Sequence, residues 1–430
     1  MNTSEFLTIA SSLVPDRTAM VCEDETRSFA QLQERVNRLA NGLRSLGVSK
    51  GDKVAVMAVN SMPYVETYYA SARLGATFVP LNFRAKREEI AYMVNNSEAS
   101  VLLLGERYLG LVADIKPQME TIKHLISMDT KAEGMTNYEE LLAAHEPEEI
   151  FTDVEDMDPT IIIYTSGTTA LPKGVVLTHL GMSVYVTNTV EPADPAAEDV
   201  DVLLVSVPFC HVAGATTMLS SVWSGRKLVI LPQFDPEGWL KAVQTHRVTH
   251  SFVVPTMLKR IMDHPEFDKY DLSSLKLVAY GAAPMPYEVV TKAVKVFKCG
   301  LMNAYGQTES TSSLTYLGPD AHVIPDGPPE ERELKLRRLR SVGKTMDDVT
   351  VAILDPDGNE LPTGQEGEIV AKGARIMSGY LGRDEETSEA MRGGWLHTGD
   401  VGWIDEDGYL FITGRTKDLI IRGGENIAPG

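Results

Sequence analysis

Short apolar segments alternate with segments of helical periodicity between residues 29 and 281. KVAVMAV (53–59) and SVLLLG (100–105) have the length and composition of buried strands. Between Phe29 and Leu46, apolar residues recur at steps of three and four, and Gly47 follows, which predicts an amphipathic helix with a glycine stop. Strands that alternate with helices favour layered α/β domains with mostly parallel sheets.

The pattern changes twice along the chain. An acidic stretch, 130–158, is interrupted by glycine and proline and is predicted to connect two α/β parts. A proline-rich and then charged stretch, 318–340, is predicted to be exposed. From about 341, short β segments with Asp-Gly pairs at 357–358 and 407–408 predict hairpins and a small β-rich subdomain. The predicted divisions are 1–157, the first α/β subdomain; 158–340, the second; 341–414, the β-rich subdomain; and 415–430.

Net charge limits the expected classes of binding partner, and cysteine content indicates the expected cellular compartment. The chain has 40 basic and 60 acidic residues and a net charge of −20, so neither nucleic acid nor an anionic membrane surface is an expected partner. Cys22, Cys210 and Cys299 show no metal-ligand spacing, which favours the reduced cytoplasm. The first residues lack a basic leader and no long apolar run follows, so we expect no signal peptide and no membrane span.

The segment YTSGTTALPKG (164–174) concentrates hydroxyl groups and glycines before one lysine, Lys173. A strand that feeds such a turn ahead of a helix exposes backbone N–H groups and side-chain donors, which suits phosphate. The phosphate loop of nucleotide hydrolases does not fit, because Pro172 replaces its second glycine and Gly174 its hydroxyl residue. At this point a polar loop with one exposed lysine is an equal alternative.

The whole segment closely resembles the phosphate-binding signature of the adenylate-forming superfamily, which includes acyl-CoA synthetases, aryl-CoA ligases, luciferases and amino-acid-activating domains. One position departs from the signature: Ala170 stands where the family usually has glycine, and we expect its methyl group to weaken triphosphate binding. Four later segments match the family in the same order: YGAAPMP (280–286), NAYGQTES (303–310), GWLHTGDVGWID (394–405) and ITGRTKDLIIRGGENI (412–427).

The resemblance implies roles for individual residues. Tyr305 would stack on adenine, Thr308 would reach the α-phosphate, and Glu309 would hold Mg²⁺, a hard cation that prefers oxygen ligands. Asp400 and Arg415 would contact the ribose, and Lys417 matches a hinge by position. The predicted nucleotide-binding residues are Thr165, Ser166, Gly167, Thr168, Thr169, Lys173, Gly281, Ala282, Ala283, Pro284, Asn303, Ala304, Tyr305, Gly306, Thr308, Asp400 and Arg415.

The resemblance also implies a two-step ligase reaction. A carboxylate attacks the α-phosphorus of Mg·ATP to form an acyl-adenylate and pyrophosphate, and the thiol of coenzyme A then displaces AMP. The predicted catalytic residues are Lys173, Thr308, Glu309 and His211. In this family a C-terminal domain with a catalytic lysine follows the hinge. The 430 residues end just past the position of the hinge, so we expect this chain to be impaired in both steps.

The acid that is activated is predicted from the segment PFCHVAG (208–214). The amino-acid-activating branch has an aspartate where this chain has Cys210, so a free amino acid is disfavoured. His211 resembles the residue beside the substrate carboxylate; a histidine at the edge of the core is the alternative. The predicted lining is small and mildly polar: His211, Ala213, Gly214, Tyr280, Ala304 and Ser312. This favours a compact hydrophobic monocarboxylate, alicyclic, aromatic or medium-chain, that becomes a CoA thioester.

Three other functions stay open at the level of sequence. A luciferase-like oxygenase would share every motif. A fatty acyl-AMP ligase would pass its adenylate to a carrier protein. A non-catalytic protein that binds a nucleotide or an acyl-adenylate is the alternative outside enzymology. The expected partners are the carboxylic acid and coenzyme A, and the prediction allows a homodimer.

Overall fold

The chain forms two compact units in a computed structural model, which describes residues 1–165, 171–324, 328–416, 420–422 and 425–427. One unit comprises Met1–Asp235 with Met377–Arg383, and the other Pro236–Ile376 with Asp384–Gly430. The four divisions predicted from sequence pattern differ from these units and stay a prediction. Five of the predicted loop positions (166–170) and the hinge position, Lys417, lie outside the described residues.

Helices and strands alternate through the part of the first unit that precedes residue 236. In chain order they are α1 (Glu5–Leu13), β1 (Thr18–Cys22), β2 (Glu25–Ser28), α2 (Phe29–Ser45), β3 (Lys53–Met57), α3 (Met62–Arg73), β4 (Thr77–Pro80), α4 (Arg87–Ser97), β5 (Val101–Leu104), α5 (Leu109–Ile115), β6 (His124–Ser127), β7 (Thr136–Asn137), α6 (Tyr138–Ala143), β8 (Pro159–Thr165), β9 (Lys173–Thr178), α7 (His179–Thr189), β10 (Val202–Val205), α8 (Val212–Trp223) and β11 (Lys227–Ile230).

Strands become more frequent in the rest of the chain. In chain order the elements are α9 (Pro236–His246), β12 (His250–Val253), α10 (Pro255–Met262), β13 (Leu277–Gly281), α11 (Tyr287–Val296), β14 (Gly300–Gln307), β15 (Ser312–Leu317), α12 (Pro319–His322), α13 (Pro329–Arg338), β16 (Lys344–Thr345), β17 (Val349–Leu354), β18 (Gly367–Gly373), β19 (Gly379–Tyr380), α14 (Asp384–Ala390), β20 (Leu396–Ile404), β21 (Leu410–Arg415), β22 (Ile420–Arg422) and β23 (Glu425–Ile427). Strand β19 belongs to the first unit.

The predicted helix after Phe29 is confirmed as α2. A capping box starts it: the Ser28 hydroxyl accepts a hydrogen bond from the Gln31 amide (3.2 Å), and the Gln31 side chain accepts one from the Ser28 amide (2.9 Å). The periodic apolar residues face the interior, and Gly47 has the positive φ, 91°, that a glycine stop requires.

The first unit contains the mostly parallel sheet that the alternation predicts. Its order is β19-β9-β8-β4-β3-β5-β6-β7, with antiparallel pairing only at β8/β9 and β9/β19. A second group in this unit has the order β10-β11-β1-β2. The acidic stretch 130–158, predicted as a connector, contributes β7 to the edge of the first sheet and also contains α6.

The element that follows the glycine- and hydroxyl-rich turn differs from the expectation. Strand β9 follows it, antiparallel to β8, with Thr165 paired to Lys173, and helix α7 begins only at His179. Val175 and Leu177 explain the difference, because they bury their side chains in a sheet that has a partner strand on either side of β9. Along the chain, strand β9 therefore separates this turn from helix α7.

The second unit contains two sheets and a short hairpin. One group has the order β16-β15-β14-β13-β12, with parallel pairing of β12, β13 and β14. The β-rich part is the antiparallel sheet β17-β18-β20-β21, and β22 pairs with β23. The Asp-Gly prediction is confirmed at 407–408, where Gly408 has φ 81° in the turn between β20 and β21. In the stretch 318–340, α13 buries none of its residues, so this part is exposed but helical.

In the described ranges, no helix combines the length and the apolar character that crossing a membrane requires.

His179, in the first unit, predicts how stability depends on pH. Its Nδ1 accepts a hydrogen bond from the Thr3 amide (3.2 Å), and burial lowers the pKa of the imidazole from 6.5 to about 4. Between pH 6.5 and pH 4, this imidazole is therefore protonated in the unfolded chain but neutral in the folded chain. Proton uptake favours the unfolded chain, so the free energy of unfolding falls as the pH falls from 6.5 towards 4. We expect this residue to account for a loss of about 2 kcal/mol between pH 7.5 and pH 5.

Urea unfolding of the native chain and of His179→Gln at these two pH values measures that loss. The variant should lose about 2 kcal/mol less than the native chain over this interval. The control is His145→Gln, because His145 lies in the same unit but is partly exposed. Equal losses in the native chain and in His179→Gln would contradict the prediction.

Candidate active site

Asp400, Tyr305 and Arg415 form one hydrogen-bonded group in the second unit. The Tyr305 hydroxyl donates to Asp400 Oδ2 (2.8 Å), and Arg415 Nε donates to Asp400 Oδ1 (2.9 Å). Asp400 and Arg415 face each other on β20 and β21, and Tyr305 lies on β14. Burial, and then the negative charge of Asp400, raise the pKa of Tyr305 well above its usual value, so the phenol keeps its proton and donates. The carboxylate is thus held in one orientation and keeps lone pairs for further donors.

Thr308 and Glu309 lie on the tip of the hairpin that joins β14 to β15. The tip, residues 308–311, closes where Gln307 pairs with Ser312. Thr311, the last residue of the tip, and Ser312, which follows it, both have positive φ, 50° and 81°. Gly306 is required here, because a Cβ at this position would lie 1.9 Å from the Ser312 carbonyl oxygen. The two predicted phosphate and metal residues therefore sit on a tightly constrained turn.

The segments around 281 and 304 meet at the carboxyl ends of neighbouring parallel strands. Gly281 on β13 pairs with Ala304 on β14, and a Cβ on Gly281 would lie 2.2 Å from the Ala304 carbonyl oxygen. Ala282, directly after β13, has φ 63°. The carboxyl edge of a parallel sheet is where α/β proteins commonly bind ligands. The structure therefore brings two motifs that are separate in sequence to one edge.

Tyr280 differs from its neighbours at this edge. Its ring is 1% exposed, and its hydroxyl shares a hydrogen bond with His322 Nε2 (2.8 Å). Burial raises the pKa of this phenol well above its usual value, so it remains neutral. The role of Tyr280 in lining a substrate pocket stays a prediction.

Lys173 opens strand β9 in the first unit and contacts an aromatic ring. Its Nζ lies 4.8 Å from the ring centroid of Tyr380, a cation–π distance. Tyr380 lies on β19 and pairs with Val175 two residues after the lysine. Our sequence prediction missed Tyr380. The only signal was an aromatic residue after a glycine in the segment SGYLG (378–382).

The predicted acid-binding segment precedes and begins helix α8. His211 is the N-cap residue of this helix, and its place beside a substrate carboxylate stays a prediction. Cys210 is buried, which raises the pKa of its thiol to about 12 and keeps it neutral. At Gly214 a Cβ would lie 2.3 Å from the Pro208 carbonyl oxygen, so the packing of the backbone already requires a glycine there.

The predicted residues thus fall into two sets, one in each unit. The first unit contains Thr165, Lys173, His211, Ala213 and Gly214. The second unit contains all the other predicted residues that the structure describes. In the described part of the chain, no cluster of three or more His, Cys, Asp or Glu residues could hold a metal. A site with one carboxylate, Glu309, fits Mg²⁺, which commonly binds one or two carboxylates together with phosphate oxygens and water.

Comparisons with known proteins give matches over most of the chain. A family model described as AMP-binding enzyme matches residues 9–381. A feruloyl-CoA synthase from Amycolatopsis sp is 35% identical over 416 residues, which cover 96% of this chain and 79% of the relative. A 2-succinylbenzoate–CoA ligase from Bacillus cereus is 33% identical over 421 residues, with coverages of 97% and 79%. A solved fatty acyl CoA synthetase from Mycobacterium tuberculosis is 31% identical with a TM-score of 0.85, and the match covers 100% of this chain and 81% of that one.

Proposed function

The chain belongs to the family of AMP-binding enzymes, and on that premise we propose that it activates a compact hydrophobic monocarboxylic acid as a CoA thioester. The predicted enzyme class, an AMP-forming acyl-CoA synthetase, agrees with the family and with the CoA ligases among the relatives. The observation that carries the proposal is the carboxylate of Asp400, held between Tyr305 and Arg415 in the same unit as the hairpin tip with Thr308 and Glu309.

In the first step, an oxygen of the substrate carboxylate forms a bond to the α-phosphorus of ATP, and the bond from that phosphorus to the bridging oxygen of pyrophosphate breaks. Asp400 would accept hydrogen bonds from the ribose hydroxyls, and the Tyr305 ring would stack on adenine. The Thr308 hydroxyl would donate to the α-phosphate. Glu309 would hold Mg²⁺, which would supply positive charge at the phosphates.

In the second step, the sulfur of coenzyme A attacks the acyl carbon, and AMP leaves with the electron pair of the broken C–O bond. A mixed anhydride is a far better acyl donor than a free carboxylate, because AMP is a good leaving group. Lys173 would serve the first step, as a point charge for the β- and γ-phosphates. His211 would lie beside the substrate carboxylate.

The acid class is proposed from the small residues Ala213 and Ala304, with His211 beside the carboxylate. Small side chains leave room for a ring or a short chain. The relatives are named for feruloyl, 2-succinylbenzoate and fatty acyl substrates, which supports aromatic and aliphatic acids as the range to test.

Binding of stable acyl-adenylate analogues tests the proposal with this chain as it is. Acyl-sulfamoyl adenosines that carry benzoyl, cyclohexanecarbonyl, octanoyl, acetyl or phenylalanyl groups would be titrated by calorimetry. We expect the first three to bind at least about tenfold more tightly than the last two. Pyrophosphate release and thioester formation with the free acids are measured separately. Preference for the phenylalanyl analogue would overturn the acid class, and light emission or oxygen uptake would indicate the oxygenase instead.

Ala304→Leu tests where the acyl group lies. Extra volume in a packed pocket causes strain of about 1–3 kcal/mol, so ring-bearing analogues should lose about tenfold or more in affinity. The acetyl analogue should bind the variant as it binds the native chain. Ala304→Gly is the control, because it adds no volume. If ring-bearing analogues bind the leucine variant unchanged, Ala304 does not line the acyl pocket.

A further inference from the structure

Arg375 and Asp348 form a buried ion pair in the second unit that none of the predicted motifs includes. The Arg375 side chain is 0% exposed and that of Asp348 is 7% exposed. Arg375 Nε lies 2.6 Å from Asp348 Oδ2, and Nη2 donates to Asp348 Oδ1 (3.2 Å). Removal of both charges from water opposes folding, so a buried pair of this kind is weak evidence for a role in stability alone.

Arg375 also holds the hairpin tip with its side chain and with its backbone. Its Nη1 donates to the Ser310 carbonyl oxygen (3.3 Å), and the Thr311 hydroxyl donates to the Arg375 carbonyl oxygen. Nη2, which donates to Asp348, also contacts the Met346 sulfur (3.4 Å). The two terminal nitrogens thus place the planar guanidinium between Asp348 and Ser310, and the Arg375 backbone accepts from Thr311, so Arg375 contacts the tip at two successive residues.

The tip needs such an attachment because its backbone is strained. Thr311 and Ser312 both have the left-handed φ that residues other than glycine rarely adopt. A strained backbone persists only where its surroundings determine it, and such sites cluster where function needs a fixed geometry. Thr308 and Glu309 precede these residues on the same turn, so a relaxed tip would move both side chains.

We propose that the Arg375–Asp348 pair positions the hairpin tip, so that Thr308 and Glu309 meet the α-phosphate and Mg²⁺ in a fixed geometry. The inference rests on the proposed function, which supplies the roles of Thr308 and Glu309. Arg375 and Asp348 act through the tip and are positioning residues. Because misplacement of a reacting group by about 1 Å can lower a rate about 100-fold, the pair controls the rate of adenylation more than it controls nucleoside binding.

The variant Asp348→Leu/Arg375→Met tests the proposal. It removes both charges at similar volume, whereas a single substitution would leave one buried charge unpaired. Amide hydrogen exchange at Gln307 and Thr311, whose N–H groups bond within the turn, should become about tenfold faster or more. Pyrophosphate release should fall about 10- to 100-fold and need more Mg²⁺ for half-maximal rate, while adenosine affinity stays within about threefold. If this variant does not fold, Asp348→Asn/Arg375→Gln takes its place.

The matched control is Glu66→Leu/Arg35→Met, in the first unit. It removes another arginine–carboxylate pair in which the carboxylate is buried: Arg35 Nε lies 2.7 Å from Glu66 Oε1, and the two side chains are 19% and 1% exposed. Exchange at the hairpin tip and the Mg²⁺ dependence should not change in this variant. A purely structural role for Arg375–Asp348 would make the two double variants behave alike.

Three outcomes decide the matter. Unchanged exchange at Gln307 and Thr311 overturns the proposal, because the pair then does not hold the tip. Faster exchange with an unchanged rate and Mg²⁺ dependence also overturns it, because the position of the tip then has no effect on the reaction. A Glu309→Gln variant with the native Mg²⁺ dependence contradicts the proposed function instead, and the exchange measurement still shows whether the pair holds the tip.

Discussion

Replacement of Asp400 by alanine is expected to weaken AMP binding by about 2–4 kcal/mol, a loss of roughly 30- to 1,000-fold in affinity. The variant removes the carboxylate that we propose as the acceptor for the ribose hydroxyls. It also leaves the Tyr305 hydroxyl and Arg415 Nε without the carboxylate that each now contacts, at 2.8 and 2.9 Å. Because the Asp400 side chain is only 12% exposed, water cannot easily replace the lost acceptor. Isothermal titration calorimetry with AMP gives the change directly.

Two further variants show whether the effect belongs to the carboxylate. Tyr305→Phe keeps the ring but removes one donor to Asp400, so AMP affinity should fall by much less. Asp407→Ala removes an aspartate in the turn of the same β20–β21 hairpin, where it pairs with Arg338 (2.9 Å) at 49% exposure, and AMP affinity should not change. If Asp400→Ala binds AMP within about threefold of the native chain, Asp400 is not part of the nucleotide site.

Lys173→Met is expected to slow pyrophosphate release by about 10²–10³-fold, because a positioned cation no longer meets the developing charge on the β- and γ-phosphates. ATP affinity should fall, while AMP affinity should be unchanged, since AMP lacks the phosphates that we propose this lysine contacts. Methionine keeps much of the length of the side chain and removes the charge. Titration of ATP and of AMP on the same variant separates the two effects.

The matched control is Lys50→Met, which removes a lysine of the same unit that pairs with Asp158 (2.8 Å) and should leave both nucleotides unaffected. Tyr380→Leu removes the ring that Lys173 contacts, and Tyr380→Phe keeps it. Because a cation–π contact contributes about 0.5–2 kcal/mol, the leucine variant should lose several-fold in ATP affinity and the phenylalanine variant little. Equal losses of ATP and AMP affinity in Lys173→Met would mean that the lysine does not contact the outer phosphates.

Local pattern determined much of the fold. The steps of three and four between Phe29 and Leu46 predicted α2, because a helix turns every 3.6 residues and this spacing places one face in the core. The apolar runs predicted parallel strands, and the Asp-Gly pair at 407–408 predicted its turn. Each of these signals is contained in a few neighbouring residues, so it can be read without knowledge of the tertiary structure. The order of the motifs predicted the family, which the match over residues 9–381 confirms.

The sequence by itself also predicted which residues carry the chemistry. The tertiary structure decided which distant residues lie next to them. A turn before Lys173 leads into β9 and not into a helix, because β8 and β19 offer β9 a partner on each side. Tyr380 meets Lys173 only because β19 joins this sheet, and Arg375 holds Ser310 across 65 positions of chain. Periodicity records which face of a segment is buried. Which distant segment covers that face depends on strand order and side-chain packing, and these arise only when the chain has folded.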